Sequence, residues 1–179
     1  MKSTEVYRLL RARLAPTCKA LGFRRAEGGM LGWSRSAGEA AHLTFWCQCS
    51  QDGWDVYAGS RFTVEFQRSD DPRPGTGRPR VRFGALLAAD ERETIRRIQN
   101  QVIAALPPPP RDHPLLAEPS LRAYYAARFV GVAAPYAATD DIWLRYHAPA
   151  DVERWAELLT DRMPHLVRAF ETTSDAAAV

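Results

Sequence analysis

HLTFWCQCS (His42–Ser50), followed after three residues by WDVYAGSRFTVEFQ (Trp54–Gln67), is the stretch on which the fold turns. Both segments alternate with period two, the repeat of a β-strand. In the first, Leu43, Phe45, Cys47 and Cys49 share one face, while His42, Thr44, Trp46 and Gln48 share the other. In the second, Trp54, Val56, Ala58, Phe62, Val64 and Phe66 oppose Asp55, Tyr57, Arg61, Thr63, Glu65 and Gln67. Gln51-Asp52-Gly53 between them reads as a hairpin turn, because Asp-Gly suits the positive φ that tight turns demand. A strand as long as Trp54–Gln67 is expected to bend near Gly59.

Working outward, Met30–Arg35 reads as a preceding strand, joined to His42–Ser50 by a Ser36–Ala41 turn containing Gly38. After the pair, SDDPRPGTGRP (Ser69–Pro79) reads as an extended loop, and Arg80–Leu86 as a returning strand. Consecutive strands with short connections favour an antiparallel meander. Asp141–His147 alternates Ile142, Leu144 and Tyr146 against Trp143 and Arg145, and supplies a fifth strand.

Helical periodicity brackets this β region. Val6, Leu9, Leu10, Leu14, Cys18 and Leu21 form one stripe over Ser3–Leu21, with Pro16 expected to kink or divide the helix and Gly22 to cap it. Ile95, Ile98, Val102, Ile103 and Leu106 mark a second helix, entered through an Asp90/Glu93 capping box and ended by the stiff connector Pro107–Pro110. Pro119–Phe129 reads as a short helix packing through Leu121, Tyr124, Tyr125 and Phe129. A last helix spans Asp151 to Glu171, kinked at Pro164, before a disordered tail over Thr172–Val179. The expected fold is therefore α+β: a four- to five-stranded antiparallel β-meander with helices packed mainly on one face, one domain over residues 1–171.

Composition sets the class. The chain has 179 residues, 46% hydrophobic and 25% charged, enough for one substantial core. No apolar run approaches the ~20 residues of a membrane-spanning helix. Glu5, Arg8, Arg11 and Arg13 break any apolar stretch near the N-terminus, so a cytoplasmic location is expected. The net charge is +3, but only Lys2 and Lys19 among the 24 basic residues are lysine. With abundant Ala and 13 Pro, that bias reflects codon composition, and specific nucleic-acid binding is not expected. Cys18, Cys47 and Cys49 are an odd set without disulfide spacing, as for thiols in a reducing compartment.

The helix ending in Leu21-Gly22-Phe23, the following Arg24-Arg25, the aromatic strand LTFWCQCS, and a terminal helix preceded by Asp141-Ile142-Trp143 carry a likeness. This plan resembles a group of small bacterial domains of unknown function, over about residues 4–67 and 140–171. The resemblance implies an α+β fold and transfers no catalytic residue.

Catalytic motifs give little. His42, His113, His147 and His165 are scattered, and neither H-E-x-x-H nor G-x-S-x-G occurs. Gly75-Thr76-Gly77 lacks the Lys and helix of a phosphate loop, so no cofactor is expected. Cys47-Gln48-Cys49 is too tightly spaced for a zinc pair, and both thiols share a face with Leu43 and Phe45; they are expected reduced, buried and metal-free. The arginines of the Arg68–Arg82 loop read as a solvated face.

The polar sheet face is more informative. His42, Trp46 and Gln48 stand beside Tyr57, Arg61 and Glu65, a mixture typical of recognition surfaces. Two functions follow from it: a binding module recognising a protein partner, or an enzyme holding a small polar ligand over the same face. A third possibility is a face covered by the C-terminal helix, which makes Trp46 part of the core.

Overall fold

The computed structural model describes residues 1–38, 41–108 and 117–176. Its centre is an antiparallel sheet of β1 (Arg24–Arg25), β2 (Leu31–Ser36), β3 (His42–Cys49), β4 (Ser60–Ser69) and β5 (Arg80–Arg82), in that order. A sixth strand, β6 (Leu144–Tyr146), pairs with the first half of β4, while β5 pairs with its second half. The α+β class and the meander order are those read from the sequence.

The apolar face carries the core. Phe45 stacks on Trp33 at 5.2 Å and on Phe66 at 5.5 Å, and Phe66 meets Phe170 of α4 (Pro149–Ala176) at 5.6 Å. The buried stripe of α1 (Ser3–Ala20), which is Val6, Leu10, Leu14 and Cys18, packs against α4 and the sheet. That packing continues on both sides of Pro16, so of the two outcomes expected, a kink or a division, the helix is not divided; tertiary burial outweighs the local cost of the proline, about 3 kcal/mol. Ile95, Ile98 and Val102 of α2 (Ala89–Ala104) join the same cluster.

Several boundaries differ from the sequence reading for local reasons. Trp54–Gly59 is not strand: the Asp55 carboxylate accepts hydrogen bonds from the Tyr57 and Ala58 amides at 2.8 and 2.7 Å, which turns the chain. The strand starts only at Ser60, after Gly59 with φ of +67°. The connection between β3 and β4 is thus a long loop, not an Asp-Gly hairpin. The returning strand stops at Arg82, and Phe83–Leu86 forms a 3-10 turn. At the start of α2 it is Glu91 that accepts from the Ala88 amide at 2.9 Å, while Glu93 pairs with Arg96; the Asp90/Glu93 box is not formed. The last helix begins at Pro149, passes through Pro164 and runs to Ala176, with the Thr172 and Thr173 hydroxyls donating to the Arg168 and Ala169 carbonyls. Most of the segment expected as tail is therefore helix. The connector Pro107–Pro110 lies partly outside the described residues, as do residues 177–179 of the tail.

The polar sheet face, which the sequence leaves either exposed or covered by the C-terminal helix, is partly covered, and by the loop after β4. Gln67 grips this loop at both ends of its amide: Nε2 donates to the Arg73 carbonyl at 2.6 Å, and Oε1 accepts from the Gly75 amide at 2.9 Å. The Thr44 hydroxyl donates to the Pro72 carbonyl at 3.2 Å. The loop thus closes this end of the sheet face, while Arg73, Arg78 and Arg80 remain exposed as the solvated reading expects.

Candidate functional site

Because opposed residues of an antiparallel pair project to the same face, the polar face can be followed from one end to the other. At the Ser34–Thr44–Gln67 end it is sealed by the loop just described. In the middle, Trp46 faces Glu65 across the strands and is fully buried, with the Arg80 guanidinium 5.3 Å above its ring. Glu65 is buried too, and receives Arg80 and Arg82. Farther along, the Thr63 hydroxyl donates to the Ile142 carbonyl at 3.0 Å, bringing residues 141–143 across the face.

At the far end the face is open. Arg61 of β4 stands directly opposite Arg145 of β6. The outer edge of β6 shows how this pair is held. Gln99 of α2 accepts from the Arg145 amide at 3.0 Å and donates to the Trp143 carbonyl at 2.8 Å. The Trp155 indole of α4 donates to the Arg145 carbonyl at 2.6 Å. With both backbone groups of Arg145 turned outward, the Arg61–Arg145 pair is of the non-hydrogen-bonded type, in which side chains stand closest. Two guanidiniums directly opposed on one face are mutually repulsive.

A third approaches from above. Arg128 of α3 (Pro119–Phe129) joins Arg61 and Arg145 in lining a cavity of about 480 Å³. Its walls include Tyr124, Tyr136 and Trp143, with Ile103, Val130 and Val132. The Arg61 guanidinium lies 5.1 Å from the Trp143 ring centre, and that of Arg128 lies 4.7 Å from Tyr124. The faces rest on aromatic rings while the edges donate, both guanidiniums reaching Asp52.

Charge compensation is incomplete. Asp52 Oδ2 receives Arg128 at 2.6 Å and Arg61 at 3.3 Å. The Ser50 hydrogen bond, against some burial and helped by Arg128 and Arg61, holds its carboxyl below the usual range. Asp141, the other acidic group on the wall, is engaged by Arg82 and by the Trp143 indole. Arg145 is 8% exposed, and its Nη2 has no hydrogen-bond partner; Arg61 Nε is likewise buried without one. Burial, then the charges of Arg128 and Arg61, push the Arg145 guanidinium down to about 10, which still leaves it charged at neutral pH.

Of the residues expected at a site, the cavity takes only Arg61. Trp46 and Glu65 are buried beneath arginines, and His42 and Gln48 are half-buried on β3 away from the lining. Tyr57 lies in the β3–β4 loop, 6.4 Å from the Tyr125 ring. Cys47 is buried as expected, but Cys49 is only half-buried; all three thiols are free. Among the described residues no three His, Cys, Asp or Glu side chains converge as a metal site would require. Arg128, Arg145, Trp143, Tyr124 and Tyr136 were not anticipated. The alternation of Trp143 and Arg145 against Ile142, Leu144 and Tyr146 was the available signal for two of them.

Fold and site together describe an α+β protein with an open antiparallel sheet and an arginine-lined cavity at one end of its polar face. The chain matches no protein-family model, no curated protein and no solved structure.

Proposed function

We propose that this protein is a binding module for a small anionic molecule held over the polar sheet face. The observation that carries the reading is Arg145: nine-tenths buried, charged, short of a hydrogen-bond acceptor, and set opposite Arg61. Folding gains nothing from setting a desolvated cation opposite a second one, so the arrangement makes sense for an anion that supplies the missing charge. The aromatic and aliphatic walls suit an organic body on that anion. The reading favours a ligand over a protein partner because Trp46 and Glu65, which would have anchored a partner, are covered. It favours binding over turnover because both carboxylates of the lining are engaged by arginines, Asp52 by Arg61 and Arg128 and Asp141 by Arg82.

Isothermal titration calorimetry tests it with benzoate and phenyl phosphate against benzylamine and benzyl alcohol. The anions are expected to bind, the cation and the neutral alcohol not, and Arg145→Met is expected to weaken the anions by about tenfold or more. Equal binding of benzyl alcohol and the anions would reject the reading.

A further inference from the structure

We propose that the ligand is a phosphate monoester on a flat ring, of the aryl phosphate or nucleoside monophosphate class. The inference rests on the anion-binding reading above and narrows it in charge, shape and size.

Charge comes first. Three guanidiniums line the cavity, and one carboxylate, that of Asp52, is hydrogen-bonded to them. Asp141 is already engaged by Arg82. Two positive charges thus remain unmatched at the lining. A carboxylate or a phosphodiester supplies one negative charge, whereas a phosphate monoester at neutral pH supplies close to two.

Shape agrees. Arg61 and Arg145 are opposed across two strands, and Arg128 reaches in from a helix outside the sheet. Guanidiniums brought to one cavity by three elements suit a tetrahedral group with three terminal oxygens better than a planar carboxylate, which two guanidiniums already saturate.

Size supplies the ring. Inorganic phosphate would occupy a minor part of about 480 Å³. The remaining wall is Tyr136 beside Ile103, Val130 and Val132, an apolar surface against which a flat unsaturated ring can lie.

The test measures the dissociation constants of phenyl phosphate, adenosine 5′-monophosphate, benzoate, methyl phenyl phosphate and inorganic phosphate for the wild-type protein, Arg145→Met and Arg128→Met. Phenyl phosphate or the nucleotide is expected to bind at least about tenfold more tightly than benzoate, the diester and inorganic phosphate, and to lose about tenfold in either variant. Arg128 lies on α3 outside the sheet, so its variant keeps the test decisive should Arg145→Met fold poorly. Benzoate or the diester binding as tightly as phenyl phosphate would overturn the dianion while leaving the anion site standing. Inorganic phosphate binding as tightly would overturn the ring. Failure of every anion to bind the wild-type protein would overturn this inference and the anion site together.

Discussion

Arg145 and Trp46 show how two buried residues on one sheet face carry opposite expectations. Arg145 is desolvated, faces Arg61, and makes no ion pair among the described residues, so its charge costs stability. Arg145→Met keeps the aliphatic volume and removes that charge. Replacing whole buried ion pairs by apolar residues is often neutral or stabilising, by about 1–4 kcal/mol, and the loss of Arg145 leaves no buried partner charge behind. Chemical denaturation should therefore find Arg145→Met at least as stable as the wild type, although it binds anions poorly. A loss of several kcal/mol would instead make Arg145 a structural keystone. Trp46 is fully buried under Arg80 and opposite Gly32, where an added Cβ would sit 3.0 Å from the Trp46 Cβ. Trp46→Ala should cost roughly 3–5 kcal/mol, as large core truncations do, while the folded fraction retains anion binding. A Trp46→Ala protein of unchanged midpoint would contradict the packing described here.

At the scale of elements, the site depends on where β6 is held, and that depends on two residues of other elements. Gly59 precedes β4 with φ of +67°, and a Cβ there would lie 2.1 Å from the Tyr146 carbonyl oxygen. Gly59→Ala must strain the backbone and push β6 outward, costing on the order of 1–3 kcal/mol and weakening anion binding along with stability. Gln99 closes the free edge of β6 through both atoms of its amide. Gln99→Leu orphans the Arg145 amide and the Trp143 carbonyl, at about 1–3 kcal/mol for each group left unsatisfied. Thermal melts of both variants, with calorimetry on the folded protein, check these expectations; unchanged melts would show that β6 is held by β4 alone. The same elements explain what the sequence could reveal. The core face was legible because Phe45, Phe62, Val64 and Phe66 repeat with period two, and the helices because their stripes repeat at 3.6. The site was not, because Arg61 and Arg145 are 84 residues apart and meet only through the register of a three-residue strand. Periodicity reports which face a residue takes, not which strand lies beside it. The lid over Trp46 was hidden for a related reason: Gln67 reads as an ordinary polar strand position, and nothing local says that its amide will seize Arg73 and Gly75.

For the molecule as a whole, the four helices among the described residues are unequally secured. α1, α2 and α4 each bury an apolar stripe in the common core, whereas α3 has no fully buried residue. Its polar links include two to the β3–β4 loop: the Tyr125 hydroxyl donates to Asp55 at 2.7 Å, and Arg128 pairs with Asp52 at 2.6 Å. An element with so little burial should open well below the free energy of global unfolding, so its amides should exchange early. A ligand bound by Arg128 on one side and by Arg61 and Arg145 on the other would tie this helix to the sheet. At a ligand concentration of 100 times Kd, linkage adds about 2.7 kcal/mol to the stability of the bound state. For a chain of this length that corresponds to a rise in Tm of roughly 5–10 °C. The distribution of the gain is more diagnostic than its size. Hydrogen exchange with saturating phenyl phosphate should slow the amides of Pro119–Phe129 and of residues 50–59 selectively, because those segments are the ones the ligand would fasten. Exchange within α1, already governed by global opening, should slow only as far as the whole molecule is stabilised. Protection that appears in α1 but spares α3 would show that the anion binds elsewhere, since no ligand held by Arg128 could leave α3 as free as before.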